Sequence, residues 1–337
     1  MPETWTDVIL ETGCPELEHL IALRAKGWQD EKLDQAFTRQ RYIADNADKN
    51  LNMTWYKRSM TVMEEIDNYA RCITPTGPLR FLDLGCCPGG FTSYVLERNG
   101  MARGLGVSLP VDQGGHVCCL EARARNRFQL YFADVTSFFQ LSSSVIAHPR
   151  LRPGPPQMKP ATFDLVILDG HQLRTQICDY SQPWDIDRLL ISQIILALQC
   201  VRTGGKMVVK LTHPERVLTA KIIYLLDILS EDLVTFKPET MHTTRGSFYA
   251  IATGVGNGAE GAQMQEMIEG LQRAWLETTF GGVEGNGRNA DGSDFDFVIT
   301  TRDLQATYLG RLVELGRDIW NIQAEALDTW FKRQGIL

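Results

Sequence analysis

Between Phe81 and Glu97 the chain reads FLDLGCCPGGFTSYVLE: an aspartate near the end of an apolar run, a glycine-rich turn, then a helix-forming segment. The apolar positions Leu79, Phe81, Leu82 and Leu84 suit a buried parallel strand, Pro88 interrupts it, and Gly89 and Gly90 let the backbone turn and approach a ligand closely. A dinucleotide-binding turn needs glycine at its first, third and sixth positions; Gly85 and Gly90 satisfy two of them, but Cys87 occupies the third. A phosphate-binding loop fits the spacing from Gly85 to Thr92 better, yet Phe91 stands where its lysine belongs. The turn therefore reads as a nucleotide-cofactor cradle without the cation that phosphate requires.

Further polar residues stand at the ends of later apolar runs. Ser108 follows LGV, Asp134 follows FQLYFA, Asp169 ends FDLVILD and Lys210 ends KMVVK. In an open parallel sheet ligands bind at the carboxyl ends of the strands, so Asp83, Ser108, Asp134, Asp169 and Lys210 are expected around one site. Each aspartate alone is equally well read as a helix cap.

The elements that must position them alternate. Strands are expected at Leu79–Leu84, Gly104–Leu109, Phe128–Phe132, FDLVIL and KMVVKL, then LVTFKP and SFYAIATG, with a long helix from Asp187 to Val201. This order predicts an α/β, Rossmann-like sheet, mostly parallel with one late antiparallel strand. Residues 1–56 read as an amino-terminal helical extension with apolar positions that include Leu17, Leu20, Leu33 and Phe37. Residues 57–254 form the sheet domain, and 255–337 a linker and helical extension. The proline-rich segment 142–160 reads as a surface loop outside the core. The last helix carries an apolar stripe through Leu304, Tyr308, Leu312, Leu315, Ile319, Ile322, Leu327 and Trp330. That stripe is expected to pack on the chain's own domain, with self-association as the alternative.

Composition narrows the function classes. A chain of 337 residues with 44% hydrophobic and 22% charged residues can bury one substantial core, and its net charge of −7 argues against a wholly basic nucleic-acid surface. Basic residues still cluster locally, at Arg39 and Arg41, Lys57 and Arg58, Arg123 to Arg127, and His213 to Lys221. Eight cysteines without a CxxC pair predict reduced thiols and no metal site. The lack of a spanning apolar run or a signal-like amino terminus predicts an intracellular protein with no membrane partner; nuclear and cytoplasmic locations both fit.

The acidic strand end and lysine-free turn resemble motif I of the S-adenosylmethionine (SAM)-dependent methyltransferases. From Lys57 to Gly254 the chain resembles the FtsJ-like (RrmJ-type) ribose 2′-O-methyltransferases, most closely their mRNA cap-methyltransferase branch. The resemblance is carried by CCPGGFTSYVLE, LLISQIILALQCVRTGGKMVVKL and LVTFKPETMHTTRGSFYAIATG, in that order. It implies SAM as cofactor and RNA, including capped RNA, as substrate. It assigns SAM contacts to Asp83, Gly85, Cys86, Pro88, Gly89, Gly90, Phe91, Ser108, Asp134 and Asp169. The family's catalytic lysine, aspartate and lysine map to Lys57, Asp169 and Lys210, while its final glutamate is replaced by Ser247. Glu239 is the candidate substitute for that glutamate. Ser108 stands where many methyltransferases bind the SAM ribose through an acid, with Asp112 as the candidate compensator. Two alternatives follow: an impaired SAM- or RNA-binding module, or a methyltransferase for a small molecule or protein that reuses the fold.

Overall fold

The structure is a computed structural model that describes residues 4–28, 38–39, 42, 49–142, 148–172 and 185–335. Seven strands form one sheet in the order β3-β2-β1-β4-β5-β7-β6. They are β1 (Leu79–Leu84), β2 (Ala102–Ser108), β3 (Phe128–Phe132), β4 (Phe163–Leu168), β5 (Val201–Thr212), β6 (Asp232–Phe236) and β7 (Ser247–Val255). The first five run parallel, and β7 lies antiparallel between β5 and β6. The expected mostly parallel sheet with its late antiparallel strand is therefore present.

Alternation along the strands divides the core in two. Leu82, Leu84, Val166, Leu168, Met207 and Val209 join one buried cluster, whereas Phe81, Leu165, Ile167, Val208, Tyr249 and Ile251 join the other. Both faces are thus covered, which is why the central strands read as nearly continuous apolar runs.

The described helices are α1 (Trp5–Leu10), α2 (Pro15–Trp28), α3 (Lys49–Ala70), α4 (Gly90–Arg98), α5 (Asp185–Cys200), α6 (Val217–Leu229), α7 (Met264–Phe280), α8 (Thr301–Thr307) and α9 (Leu309–Arg333). Residues of α1, α2, α5, α6, α7 and α9 join the first cluster, and residues of α3 and α4 the second. Leu304, Tyr308, Leu312, Leu315, Ile319 and Leu327 are all buried, so the expected apolar stripe packs on the chain's own core. Leu33, Phe37 and Arg41 lie outside the described residues.

One expectation is corrected. Leu151 and Met158, from the proline-rich segment read as a surface loop, belong to the main core. Backbone bonds explain how: the Phe139 N–H donates to the Arg152 carbonyl at 3.0 Å and the Arg152 N–H to the Ser137 carbonyl at 2.8 Å. Polar backbone groups satisfied this way allow an irregular segment to enter the core.

The close approach of α3 and α4 depends on Gly90. A Cβ there would lie 2.4 Å from the Tyr56 carbonyl oxygen and 2.5 Å from the Met60 nitrogen, both backbone atoms of α3. The Tyr56 hydroxyl and Ser93 Oγ share a buried hydrogen bond of 2.7 Å across the same interface. Gly90→Val should therefore push the helices apart and cost about 1–3 kcal/mol or more in chemical denaturation. A stability change below about 0.5 kcal/mol would contradict this packing.

Candidate active site

The strand order reverses between β1 and β4, and the polar turns meet there. Leu84 carbonyl oxygen accepts from both the Asp169 and Gly170 N–H groups at 3.1 Å. Gly85 has φ +81°, and a Cβ on it would fall 2.3 Å from Gly170 Cα, so only glycine allows the two turns to touch. The side chain of Gln193, buried in α5, clamps the second turn: it accepts from Gly170 N–H and donates to Gly170 carbonyl oxygen, each at 3.0 Å. In the sequence Gln193 stands out as an amide inside the apolar run Ile191 to Leu198.

Two-residue periodicity aims the strand-end side chains. Asp83 follows Phe81, Asp169 follows Ile167 and Lys210 follows Val208, each continuing the face that packs against α3 and α4. Lys210 is paired with Tyr249 across the β5–β7 ladder. Its Nζ lies 3.2 Å from Asp169 Oδ1, and the Tyr249 hydroxyl donates to the same oxygen at 2.7 Å. Burial, reinforced by the Asp169 charge, raises the Tyr249 phenol well above its ordinary pKa. The hydroxyl consequently stays protonated and fixes the carboxylate. Tyr249 was not singled out from sequence, although a tyrosine facing Lys210 in register is the signal that finds it.

A cavity of ≈ 460 Å³ opens over this trio, lined by Trp55, Arg58, Pro88, Phe91 and the loop Thr240 to Arg245 among others. Lys57 does not line it and is exposed. The reason is helical phase: Trp55, Arg58, Ser59 and Val62 stand at the spacing of one helix face, and the contact of Tyr56, Ser59 and Met60 with Gly90 fixes the rotation. The structure thus brings together Asp169 and Lys210 of the expected catalytic set, while Lys57 does not line the cavity and its neighbour Arg58 does. Ser247 is on β7 with its carbonyl accepting from Lys237 Nζ at 2.8 Å, and Glu239 is exposed away from the cavity. The buried Lys237 also donates to the carbonyls of His242 and Arg245, holding the loop that walls the cavity.

A second cleft adjoins the first. It is lined by Gly85, Cys87, Ser108, Asp134, Thr136 and Gly170 among others. Asp134 also caps a short helical turn, accepting from the Thr136 N–H at 2.9 Å, as the helix-cap reading expects. Asp112 is exposed and does not line the cleft. Phe91 and Pro88 belong to the larger cavity, Phe91 resting against Tyr249 with ring centroids 5.8 Å apart. Gly89 takes the left-handed conformation before α4, and Cys86 is buried. Asp83 lies beneath the turn, fully buried; its Oδ2 accepts from Thr92 Oγ1 at 2.6 Å, while Oδ1 has no partner. Burial pushes its carboxyl up to about 7. Among the described residues no cluster of His, Cys, Asp or Glu could hold a metal ion, and no helix is long and apolar enough to cross a membrane.

The sequence model of the FtsJ-like methyltransferase family matches residues 55–254. Among solved structures, a protein described as a ribosomal RNA methyltransferase from Plasmodium falciparum is 16% identical, with a TM-score of 0.41 over 59% of this chain and 97% of the other. A TehB-like SAM-dependent methyltransferase from Corynebacterium glutamicum is 13% identical, with a TM-score of 0.33 over 66% and 97% of the two chains. The pyocyanin biosynthetic protein PhzM is likewise 13% identical, with a TM-score of 0.33 over 58% and 55%. At these scores the three likenesses carry no further argument. No curated protein matches the chain.

Proposed function

The chain belongs to the FtsJ-like methyltransferase family, and from that premise we propose that it transfers a methyl group from SAM to a ribose 2′-hydroxyl of RNA. The observation that carries this reading is the convergence of Lys210 and Tyr249 on Asp169 Oδ1 beside the family's glycine turn. The residues present fit SAM better than a phosphate cofactor. The turn has no lysine, Asp83 Oδ1 is a buried acceptor lacking a donor, and Ser108 and Asp134 offer acceptors in the cleft wall. These residues, with Gly85, Cys87 and Gly170, would hold the cofactor; when bound it supplies an electrophilic methyl on a cationic sulfur.

The protein's own part is to place and activate the acceptor. Methyl transfer is an in-line displacement that needs the hydroxyl oxygen and methyl carbon about 3–3.5 Å apart. Lys210, steadied by Asp169, places a cation where negative charge develops on the hydroxyl oxygen. Asp169 is steadied in turn by Tyr249, and Gln193 holds the turn that carries it. RNA is favoured by the composition of the cavity wall: Arg58 and Arg245 suit phosphate, and Trp55 offers a stacking surface for a base. This local patch reconciles an RNA substrate with the net charge of −7. A capped 5′ end is the first substrate to test, following the family branch that the sequence most resembles. Ser247 favours a second reading, binding without turnover, because the family's glutamate is missing there.

The test is methyl transfer from labelled SAM to capped, uncapped and 2′-deoxy-substituted RNA. Transfer to RNA ribose that is lost on 2′-deoxy substitution is expected. SAM binding without transfer to any RNA would overturn the proposal in favour of the second reading.

Asp83 yields a separate prediction. Its folded-state pKa of about 7 lies above the ordinary carboxyl value of 3.8, so the folded protein retains a proton that the unfolded chain has released between those values. Its contribution to stability therefore falls as pH rises through that window. Asp83→Asn should gain thermal stability relative to wild type between pH 5 and pH 8.5, yet bind SAM more weakly by calorimetry. Parallel melting curves across that range would refute the assignment.

A further inference from the structure

Between β6 and β7 the chain leaves the sheet over residues 237–246, and the consecutive residues Thr240 to Arg245 wall the acceptor cavity. None of them lines the cofactor cleft. Irregular backbone lacks the ladder that satisfies a strand's carbonyls, so each carbonyl turned inward needs another donor. His242 adds a second demand. Its φ of +63° lies in the left-handed region, which a residue with a side chain rarely adopts unless its surroundings hold it there.

Lys237 meets both demands. The side chain is buried, and its Nζ donates to the carbonyl oxygens of His242 at 2.9 Å, of Ser247 at 2.8 Å and of Arg245. A carbonyl can only accept, so the three contacts use all three N–H groups of an ammonium. Burial and the Arg24 charge pull Lys237 down to about 7 while Glu215 pulls it up, so the ammonium prevails below neutral pH. An aliphatic side chain would fill the same space without the cost of burying a charge. What the ammonium adds is three fixed points on the loop backbone, and through them the directions in which the side chains of His242 to Arg245 leave it.

Two helices hold the same loop at other points. Glu65 of α3 accepts from the Glu239 and Thr240 N–H groups at 2.9 and 3.2 Å, and Gln323 of α9 donates to the Thr244 carbonyl oxygen at 3.2 Å. Lys237 differs in gripping the loop on either side of Thr244 and again where it joins β7.

We propose that Lys237 is a positioning residue for the RNA substrate: its three hydrogen bonds set the shape of the Thr240 to Arg245 wall, and that wall governs how tightly RNA is held without touching the cofactor. This rests on the RNA methyl-transfer reading above. Lys237 reaches neither reactant; it acts through the loop.

Hydrogen exchange and transfer kinetics on the full chain, both at pH 6.5, test the assignment. In Lys237→Met, peptides covering residues 239–247 should exchange at least about fivefold faster than in wild type, with those covering the Gly85 to Phe91 turn within about twofold. Unchanged exchange in the loop overturns the proposal without reference to activity. In single-turnover transfer to a capped RNA oligonucleotide, the half-saturating RNA concentration should rise roughly tenfold, while the rate at saturating RNA and the SAM affinity by calorimetry stay within about threefold. Lys237→Gln, which keeps two N–H donors, should fall between Lys237→Met and wild type, and it carries the same readings if Lys237→Met does not fold. A merely structural lysine would lower the melting temperature and leave the RNA half-saturation within about twofold, and that result overturns the proposal; so does a parallel loss of RNA and SAM affinity. Wild-type inactivity on every RNA overturns the function reading and this proposal together, whereas an active wild type with unchanged RNA half-saturation in the folded variant overturns this proposal alone.

Discussion

Lys210→Met should reduce methyl transfer roughly 100- to 1,000-fold while leaving SAM affinity within about twofold of wild type. The separation follows from where the side chain lies. Lys210 lines the acceptor cavity and contacts Asp169 Oδ1 at 3.2 Å, whereas it does not line the adjoining cleft of Gly85, Ser108 and Asp134. Removing the ammonium takes away the cation at the developing oxyanion but leaves Tyr249 bonded to Asp169 at 2.7 Å, so the turn should retain its form. Methionine keeps most of the aliphatic stem and hence the packing. Single-turnover transfer and SAM calorimetry on the same preparation check the prediction. Undiminished transfer would remove Lys210 from the mechanism, and lost SAM binding would place it in cofactor recognition instead.

The second large effect is expected on stability, at Glu215. This buried carboxylate follows β5 and gathers partners from both ends of the chain. Oε1 receives Arg24 Nη1 at 2.6 Å from α2 and His213 Nδ1 at 2.9 Å, and Oε2 receives Trp320 Nε1 at 2.9 Å from α9. Arg24 continues to Gln323, whose amide donates to the Thr244 carbonyl oxygen in the loop that walls the acceptor cavity. Glu215→Ala leaves an arginine and an indole N–H without their acceptor, a change expected to cost about 3–5 kcal/mol. Denaturant titration measures it, and a loss below about 1 kcal/mol would refute the stabilising role of this buried network.

Its pH dependence has a definite sign. Burial alone would raise the Glu215 carboxyl, but the His213 hydrogen bond and the Arg24 charge outweigh it and hold the group well below its ordinary value of 4.5. A depressed carboxylate contributes its full stability above the unfolded value and loses it as pH falls toward the folded one. The advantage of wild type over Glu215→Ala should therefore shrink as pH drops below about 4.5. An advantage unchanged down to pH 2 would contradict the ion pair.

Strands and cofactor turn were legible because their signals are local. Buried parallel strands write themselves as apolar runs, and the glycine turn carries Phe91 where a phosphate-binding loop has its lysine. Asp169 and Lys210 were legible for the same reason: each ends such a run, and the open-sheet rule places strand ends together. Lys57 was not. Neighbouring helix positions point about 100° apart, and whether Lys57 or Arg58 faces the cavity depends on how Tyr56, Ser59 and Met60 seat against Gly90. Leu151 and Met158 escaped the reading because a proline-rich segment carries no periodicity, and its entry into the core rests on long-range backbone bonds.

The sequence by itself determined the sheet, its one antiparallel strand, the cofactor turn and the two strand-end residues at its heart. All of these depend on nearest-neighbour chemistry: alternation, breakers and the absence of one lysine. Only the tertiary structure decided that Tyr249 bonds to Asp169, that Arg58 rather than Lys57 lines the larger cavity, and that His171 lines both that cavity and the adjoining cleft. Those placements arise from strand register, helix rotation and two turns meeting at Gly85 and Gly170. They are relations between residues far apart in the chain, and no local pattern encodes them.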